Sequence, residues 1–234
     1  MRIKVCGVTQ PSDVDLLDGL PVDFVGLWYG VQGGHADVPL AEFVRLAGAV
    51  HVTQRLQPVL VTLLNEVEAL REAVLSAQVG WIQLHGYQLP SSVRALKNAL
   101  PDGVKIIKAL HLRGRSCVER PLIHAYERAG VDVFLFDTAS EDGRVGSTGR
   151  LLDAGVVSSL AERLTRPFLL AGGISSQNCC EHRPLTRHQH FLGIDFDTNA
   201  RGLDGKLQPQ NIEAITQAWK ACRREGQNHV EQLH

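Results

Sequence analysis

Short runs of aliphatic and β-branched residues alternate with longer stretches of helical spacing along almost the whole chain of 234 residues. Repeated strand–helix units produce a parallel sheet, because each helix returns the chain to the edge where the previous strand began. The pattern therefore restricts the fold to an open doubly wound sheet or a closed barrel. Eight runs have the length of a strand: Arg2–Val5, Asp23–Leu27, Pro58–Leu63, Gly80–Leu84, Lys105–Ala109, Val133–Phe136, Pro167–Ala171 and Leu192–Ile194.

Eight strands at fairly even spacing favour the barrel, whose usual size is near this length. No Gly-x-Gly-x-x-Gly motif follows the first strand, so a dinucleotide-binding sheet is less well supported. We predict an α/β fold with one (β/α)8 TIM barrel over residues 1–224 and a polar tail at 225–234. Helices are predicted in the intervals between strands: Ser12–Leu17, Leu40–Ala49, Glu66–Ala77, Ser91–Asn98, Val118–Ala129, Leu151–Arg163 and Gln210–Arg223, with a weaker helical signal between Cys179 and His190.

The charge pattern limits the class of partner. There are 24 Lys and Arg against 25 Asp and Glu, and no block of like charge interrupts the chain. This argues against nucleic acid as a partner. No apolar run approaches the roughly 18 residues of a membrane span. Five cysteines without an apolar leader indicate reduced thiols, so we expect a soluble cytoplasmic protein, either a monomer or a homodimer.

In a barrel of this type the functional residues stand at the carboxyl ends of the strands, where the loops gather at one mouth. Cys6 ends the first predicted strand and Asp137 ends the sixth. A thiolate at that place can act as a base and a carboxyl group as an acid. The simpler alternatives are a small buried hydrophobe for Cys6 and a turn carboxylate for Asp137. His85 and His111 follow two other strands and are expected at the same mouth.

Two loops near the end of the barrel have the character of a phosphate cradle. Gly172 and Gly173 follow the seventh strand, where barrels often bind phosphate through backbone N–H groups. A tight turn is the alternative reason for the two glycines. After the eighth strand, Thr198 offers a hydroxyl and Asn199 tolerates a left-handed conformation. The nearby Asp195 and Asp197 would repel a phosphate unless they face away or bond other donors. The pattern thus predicts a phosphorylated small-molecule ligand.

Histidines and cysteines also occur together between the seventh and eighth strands. His182, His188 and His190 lie close to the adjacent pair Cys179 and Cys180. No second Cys or His pair stands at the spacing of a zinc finger. The sequence therefore predicts no metal here, and it leaves the role of residues 182–190 open.

A set of short segments spreads over nearly the whole chain. They are Lys4–Thr9, Asp23–Leu27, Ile82–Gly86, Phe136-Asp137, Gly146–Gly149, Pro167–Ile174 and the loop beginning at Asp195. The Lys-x-Cys-Gly-x-Thr opening and the Gln-Leu-His-Gly motif are the specific ones. In this order the segments resemble phosphoribosylanthranilate isomerase, a family of tryptophan biosynthesis.

The resemblance implies an Amadori rearrangement that converts an anthranilate N-glycoside of ribose 5-phosphate into a 1-amino-1-deoxyribulose phosphate. Cys6 matches the family's general base and Asp137 its general acid. Gln83 and His85 fall with the two loops among the expected substrate-binding residues. No cofactor is implied, because the imine of the substrate itself accepts the electrons.

The chain also departs from the family pattern. His35 stands where the family has an arginine that meets the anthranilate carboxylate, and Arg201 reverses the charge of an acidic residue. Histidine lacks the permanent charge and two-pronged geometry of arginine. Two rivals to the isomerase follow: a divergent enzyme that uses Cys6 and Asp137 on another substrate, and a barrel that only binds a phospho-ligand.

Overall fold

Eight parallel strands close into a barrel in the computed structural model, which describes residues 1–138 and 152–231, with side chains up to Arg224. Its strands are β1 Arg2–Cys6, β2 Phe24–Trp28, β3 Gln57–Thr62, β4 Trp81–Leu84, β5 Lys105–Arg113, β7 Val133–Thr138, β8 Phe168–Leu170 and β9 Phe191–Phe196. Neighbouring strands pair in the order β4-β3-β2-β1-β9-β8-β7-β5, and β4 pairs with β5 to complete the ring. The predicted TIM barrel is therefore confirmed. A ninth strand, β6 Ser116–Cys117, folds back antiparallel on the end of β5.

Helices surround the barrel and connect successive strands. No helix of the described residues has the length and apolar character needed to cross a membrane. The helices are α1 Pro11–Asp18, α2 Leu40–Val52, α3 Val67–Ala77, α4 Pro90–Ala99, α5 Ile123–Ala129, α6 Ala154–Ala161, α7 Arg183–Thr186 and α8 Pro209–Glu231, with single 3₁₀ turns at Arg120–Leu122 and Thr198–Ala200.

The side chains of each strand divide between two hydrophobic cores. Successive side chains of a strand point to opposite faces. Ile3 and Val5 therefore pack outward against the helices, while Cys6 packs inside the barrel with Phe24 and Trp28. The same alternation turns the polar side chain of Lys4 toward the interior, where it is fully buried. Polar groups at inward positions near the strand ends consequently share one enclosed space.

Two predicted boundaries were wrong in ways that affect the site. The last barrel strand, β9, ends at Phe196 rather than Ile194, so Asp195 belongs to the strand and not to the loop. Helix α5 starts at Ile123, five residues after the predicted start at Val118. The residues before it form β6 and a 3₁₀ turn containing Pro121, which has no N–H to continue a helical ladder.

Two other predictions fall partly outside the described residues. The helix predicted from Leu151 is described from Ala154, where the Asp153 carboxylate accepts hydrogen bonds from the N–H groups of Gly155 and Val156. The resemblance segment Gly146–Gly149 lies outside the described residues. The boundary after Arg224 stays a prediction, although the backbone of α8 continues to Glu231.

Gly193 marks the closest approach between two strands at the barrel seam. A Cβ atom on Gly193 would lie 1.9 Å from the carbonyl oxygen of Arg2 on β1, so the strands would have to separate. Gly193→Ala should lower the free energy of unfolding by about 1–3 kcal/mol or more. Gly48→Ala is the matched control, because a Cβ on that exposed residue of α2 meets no atom within 4 Å.

The control should stabilise the protein by roughly 0.5–1 kcal/mol, the usual gain when alanine replaces a helical glycine. Urea unfolding followed by circular dichroism measures both changes. If the two substitutions change the free energy of unfolding by equally small amounts, the close approach of β1 and β9 at Gly193 is contradicted.

Candidate active site

A pocket opens at the carboxyl end of the barrel strands. It brings together ten of the eleven site residues predicted from the sequence; His35, the exception, is not among its lining residues. Those ten are Cys6, Gln83, His85, Asp137, Gly172, Gly173, Asp195, Asp197, Thr198 and Asn199. Trp28, Val31, Val61, Ala171, Ile174 and Phe196 complete the lining, so apolar walls surround a group of polar side chains.

Cys6 is the last residue of β1, and its sulfur accepts two hydrogen bonds. Lys4 Nζ and Trp28 Nε1 each lie 3.1 Å from Cys6 Sγ. Gly26, the register partner of Cys6 on β2, provides the room. A Cβ on Gly26 would come within 2.5 Å of Cys6 Sγ and 3.0 Å of Lys4 Nζ. The sulfur is thus held in a fixed position by two donors from the barrel interior.

Lys4 forms a buried ion pair beneath the pocket. Its Nζ lies 2.8 Å from Oδ2 of Asp195, its register partner on β9. Burial alone would lower the pKa of Lys4, but Asp195 and Cys6 outweigh it and raise that pKa, so the ammonium group stays charged. Asp195 Oδ1 has no hydrogen-bond partner among the described residues and belongs to a pocket-lining side chain. Sequence reasoning missed Lys4, although its inward position between Ile3 and Val5 follows from strand alternation.

Burial dominates the acidity of the Cys6 thiol. It raises the pKa of Cys6 to about 11, and the positive charge of Lys4 and the hydrogen bond from Trp28 only partly oppose this rise. The carboxylates of Asp195 and Asp197 act in the same direction as burial. The thiol is therefore protonated at neutral pH in the free protein.

Asp137 lies near the end of β7 and contacts two polar groups. Its Oδ1 accepts a hydrogen bond of 2.7 Å from the N–H of Thr138, and its Oδ2 lies 3.1 Å from His85 Nε2. Gln83 Nε2 lies 2.9 Å from the other ring nitrogen, His85 Nδ1. Because the amide nitrogen donates, this arrangement leaves the proton on Nε2, and His85 donates to Asp137. The Gln-Leu-His motif thus orients the carboxylate.

Glycine gives the loop after β8 its shape. Gly172 and Gly173 have φ angles of +70° and +69°, in the left-handed region that favours glycine. A Cβ on Gly172 would meet the Thr138 side chain at 3.0 Å. Within the described part of the chain, the N–H groups of Gly173 and Ile174 donate to no protein acceptor. Since both residues line the pocket, these N–H groups are suited to bind an anion.

The loop after β9 is fastened to the neighbouring loops by side chains. Asn199 Nδ2 donates to the carbonyl oxygens of Gly173 and Ile174, at 3.2 and 2.9 Å. Arg201 binds Asp197 Oδ1 at 2.7 Å and the carbonyl oxygen of Gly7 at 2.6 Å. Arg201, noted in the sequence only as a charge reversal, therefore ties this loop to the loop after β1.

His35 lies at the rim and binds Asp197 instead of lining the pocket. Its Nε2 is 3.0 Å from Asp197 Oδ2, and its ring meets the Trp28 ring edge-on, with 4.8 Å between the ring centroids. Burial would raise the pKa of Asp197, but the hydrogen bond from His35 and the charge of Arg201 outweigh it and lower that pKa. Asp197 is therefore an ionised, paired carboxylate.

His111 does not line the pocket, contrary to the expectation from its strand position. Its ring is fully buried, and Nδ1 lies 2.6 Å from Glu119 Oε1. Glu119 follows the short strand β6, whose hairpin on β5 could not be foreseen from the sequence. Potential metal ligands also occur away from the pocket, where Cys179, Cys180 and Cys222 lie together.

The comparisons with known proteins agree with this geometry. The family model "N-(5'phosphoribosyl)anthranilate (PRA) isomerase" matches residues 3–199. The isomerase 2 of that name from Methanosarcina mazei is 31% identical over 212 residues, which cover 88% of each chain. The phosphoribosyl anthranilate isomerase from Thermus thermophilus superposes with a TM-score of 0.75 at 22% identity, over 94% of this chain and 99% of that one.

A further structure is of a phosphoribosyl anthranilate isomerase in complex with reduced 1-(o-carboxyphenylamino)-1-deoxyribulose 5-phosphate. It has a TM-score of 0.73 at 20% identity and covers 94% of this chain and 99% of that one. These structural likenesses show the shared barrel, and the family model with the Methanosarcina relative shows the family. The chain belongs to the N-(5'-phosphoribosyl)anthranilate isomerase family and is an isomerase of the aldose–ketose type.

Proposed function

We propose that this enzyme converts N-(5-phosphoribosyl)anthranilate into its 1-amino-1-deoxyribulose 5-phosphate isomer by an Amadori rearrangement. The observation that carries the proposal is the placement of the Cys6 thiol and the Asp137 carboxyl in one pocket, beside the glycine loop at Gly172 and Gly173. A related isomerase structure holds a reduced carboxyphenylamino-deoxyribulose phosphate, which has the carbon skeleton of the expected product. A phosphate suits the exposed backbone donors of the glycine loop.

The reaction needs one acid and one base, and the chain supplies both. Asp137 donates a proton to the ring oxygen, and the bond from that oxygen to C1 breaks as the nitrogen forms a C1=N bond. Cys6 then removes the C2 proton, and the released electron pair forms a C1=C2 bond while the nitrogen becomes neutral. Protonation of C1 and loss of the C2 hydroxyl proton give the ketone. The electrons balance without an oxidant or reductant.

The surroundings of Cys6 and Asp137 bear on these two roles. Burial raises the pKa of Cys6, so its thiol has to pass its proton to another group before it acts as a base. The ammonium group of Lys4, 3.1 Å from the sulfur, stabilises the thiolate that forms. His85 Nε2, 3.1 Å from Asp137 Oδ2, orients the Asp137 carboxyl group, which lines the pocket.

The substrate's charged groups match the remaining features of the pocket. Lys4 pairs with Asp195 and Arg201 pairs with Asp197. These cations reduce the electrostatic repulsion between the two carboxylates and an incoming phosphate. The unpartnered Oδ1 of Asp195 is available to a sugar hydroxyl donor. Apolar walls formed by Trp28 and Val61 suit an aromatic ring. We assign the aryl group to this side and the phosphate to the glycine loop.

Cys6→Ser and Asp137→Asn should each lower kcat by about 10²–10⁴-fold, the usual effect of removing a positioned base or acid. Cys117→Ser is the matched control, since this half-buried thiol lies outside the pocket. Purified variants are assayed on phosphoribosylanthranilate, with thermal unfolding as a check on folding. In a tryptophan auxotroph lacking the isomerase, the wild type and the control should restore growth, and the two active-site variants should not.

The two rivals predict other results from the same experiment. Failure of the wild type to turn over phosphoribosylanthranilate, with turnover of another amino sugar phosphate, would support the divergent enzyme. Binding of a product analogue without turnover of any such substrate would support a mere binding protein. Near-wild-type kcat in Cys6→Ser or Asp137→Asn would reject the proposed roles.

The acidity of Cys6 can be tested by alkylation. With a pKa of about 11, Cys6 should react with iodoacetamide at a rate that rises about tenfold per pH unit from neutral pH upward. The double variant Lys4→Met, Asp195→Asn removes both buried charges. Lys4 lowers the pKa of Cys6 by more than Asp195 raises it, so the pKa of Cys6 should rise further in this variant. Peptide mapping by mass spectrometry separates Cys6 from the exposed Cys180, which serves as the internal reference.

If the alkylation rate of Cys6 instead levels off with a midpoint at about pH 8.5, the ordinary pKa of a thiol, the environment described for Cys6 is contradicted.

His35→Arg tests how the rim meets the aryl carboxylate. Arginine is charged at every accessible pH and can form two parallel hydrogen bonds, whereas imidazole is charged only in acid. The variant should bind a product analogue with the carboxyl group about ten- to a hundredfold more tightly near neutral pH. Calorimetry with this analogue and with its descarboxy counterpart makes the comparison. If His35→Arg binds the descarboxy analogue more tightly, or if its affinity for both analogues is unchanged, then His35 does not contact the aryl carboxylate.

A further inference from the structure

Three cysteine sulfurs meet on the outer side of the barrel, away from the pocket. Cys179 and Cys180 lie in the turn that precedes α7, and Cys222 lies on α8. All three Sγ atoms are within 4.8 Å of one another. The sulfurs of a tetrahedral zinc site with Zn–S bonds of about 2.3 Å are separated by roughly 3.8 Å. Small side-chain rotations are therefore enough to place all three around one ion.

The surroundings of the cluster are rigid on one side and open on the other. Cys179 and Cys222 are buried, and Cys222 Sγ lies 3.2 Å from the carbonyl oxygen of Cys179. Trp219, one turn before Cys222 on α8, donates from Nε1 to the carbonyl oxygen of Ser175 at 2.8 Å. The turn is thus already fastened to α8. Cys180 is exposed and gives an ion a path from solvent.

The charge beside the sulfurs favours a divalent ion. Arg183 Nη2 lies 3.8 Å from Cys180 Sγ. Three thiolates around one Zn²⁺ carry a net charge of −1, which the arginine neutralises. A monovalent ion with the same three thiolates would leave a net charge of −2, twice the charge that Arg183 offsets. Thiolate ligands select zinc and copper(I) over magnesium and calcium, and the charge balance favours zinc between the first two.

We propose that Cys179, Cys180 and Cys222 form a zinc site with three thiolate ligands and one water. Binding replaces three S–H protons by the ion and releases them to solvent, with no change of oxidation state. The ion joins α8 to the loop after β8, whose first residues include Gly172 and Gly173. The ion therefore cross-links these two elements, and the site stands or falls independently of the function proposed for the pocket.

Zinc and cobalt(II) titrations of the untagged, reduced and metal-free full-length chain test the site. We expect one equivalent of Zn²⁺ to bind in competition with a chromophoric chelator. Bound Co²⁺ should give a sulfur-to-cobalt charge-transfer band and the intense visible bands of a tetrahedral site. Cys180→Ser and Cys222→Ser should each weaken zinc binding by more than about 100-fold, because each removes a ligand.

Cys117→Ser is the matched control and should bind zinc as the wild type does, since Cys117 lies outside the cluster. Cys180 is exposed, so its variant is expected to fold even if that of the buried Cys222 does not. Zinc should also raise the Tm of the wild type and of Cys117→Ser but not that of Cys180→Ser.

Four results would overturn the proposal. The first is a zinc affinity of Cys180→Ser that equals that of the wild type. The second is a loss of zinc affinity in Cys117→Ser as large as the loss in Cys180→Ser. The third is a cobalt spectrum without sulfur charge transfer, which would point to the histidines at 182, 188 and 190. The fourth is tight binding of copper(I) with none of zinc, which would reject the charge argument.

Discussion

The buried ion pair between Lys4 and Asp195 is the interaction on which the rest of the pocket depends. It joins the first and last barrel strands at register partners, and it places a permanent positive charge against the Cys6 sulfur. Removing either partner alone would leave an uncompensated charge in the interior, a change that typically costs about 3–5 kcal/mol. Gly26 makes the pair possible, because a Cβ there would occupy the space of the sulfur. Closure of the barrel and the position of the thiol therefore rest on the same few atoms.

A second set of ionic contacts connects the loops at the mouth. Asp197 receives hydrogen bonds from Arg201 and His35, and Arg201 also reaches the carbonyl oxygen of Gly7. Lys4 pairs with Asp195 and Arg201 pairs with Asp197, so each carboxylate has a cation that weakens its repulsion of the proposed phosphate. His35, which the resemblance places at the position of the family's arginine, already has a partner at the rim, Asp197 Oδ2. Under the proposed function, the aryl carboxylate therefore meets a side chain that is already paired.

The sequence by itself determined the barrel and the composition of the mouth. Strand–helix alternation fixed the fold class, and the rule that strand carboxyl ends converge placed Cys6, Asp137 and the glycines at Gly172 and Gly173 in one pocket. These predictions succeed because the alternation of side chains along a strand is a local property, and because the topology of a barrel gives all its strands the same direction. His111 was misplaced because its buried ring pairs with Glu119, which follows the β5–β6 hairpin, and that hairpin has no strong local signal.

Only the tertiary structure decided which charges meet. Lys4 and Asp195 are separated by most of the chain, and their contact depends on the register between β1 and β9, which no local pattern specifies. The protonated state of Cys6 follows from its burial, which the nearby charge of Lys4 only partly opposes. Cys222 likewise reaches Cys179 and Cys180 because α8 packs against the loop after β8. The sequence determines which side chains face the interior, whereas their pairing depends on how distant elements pack.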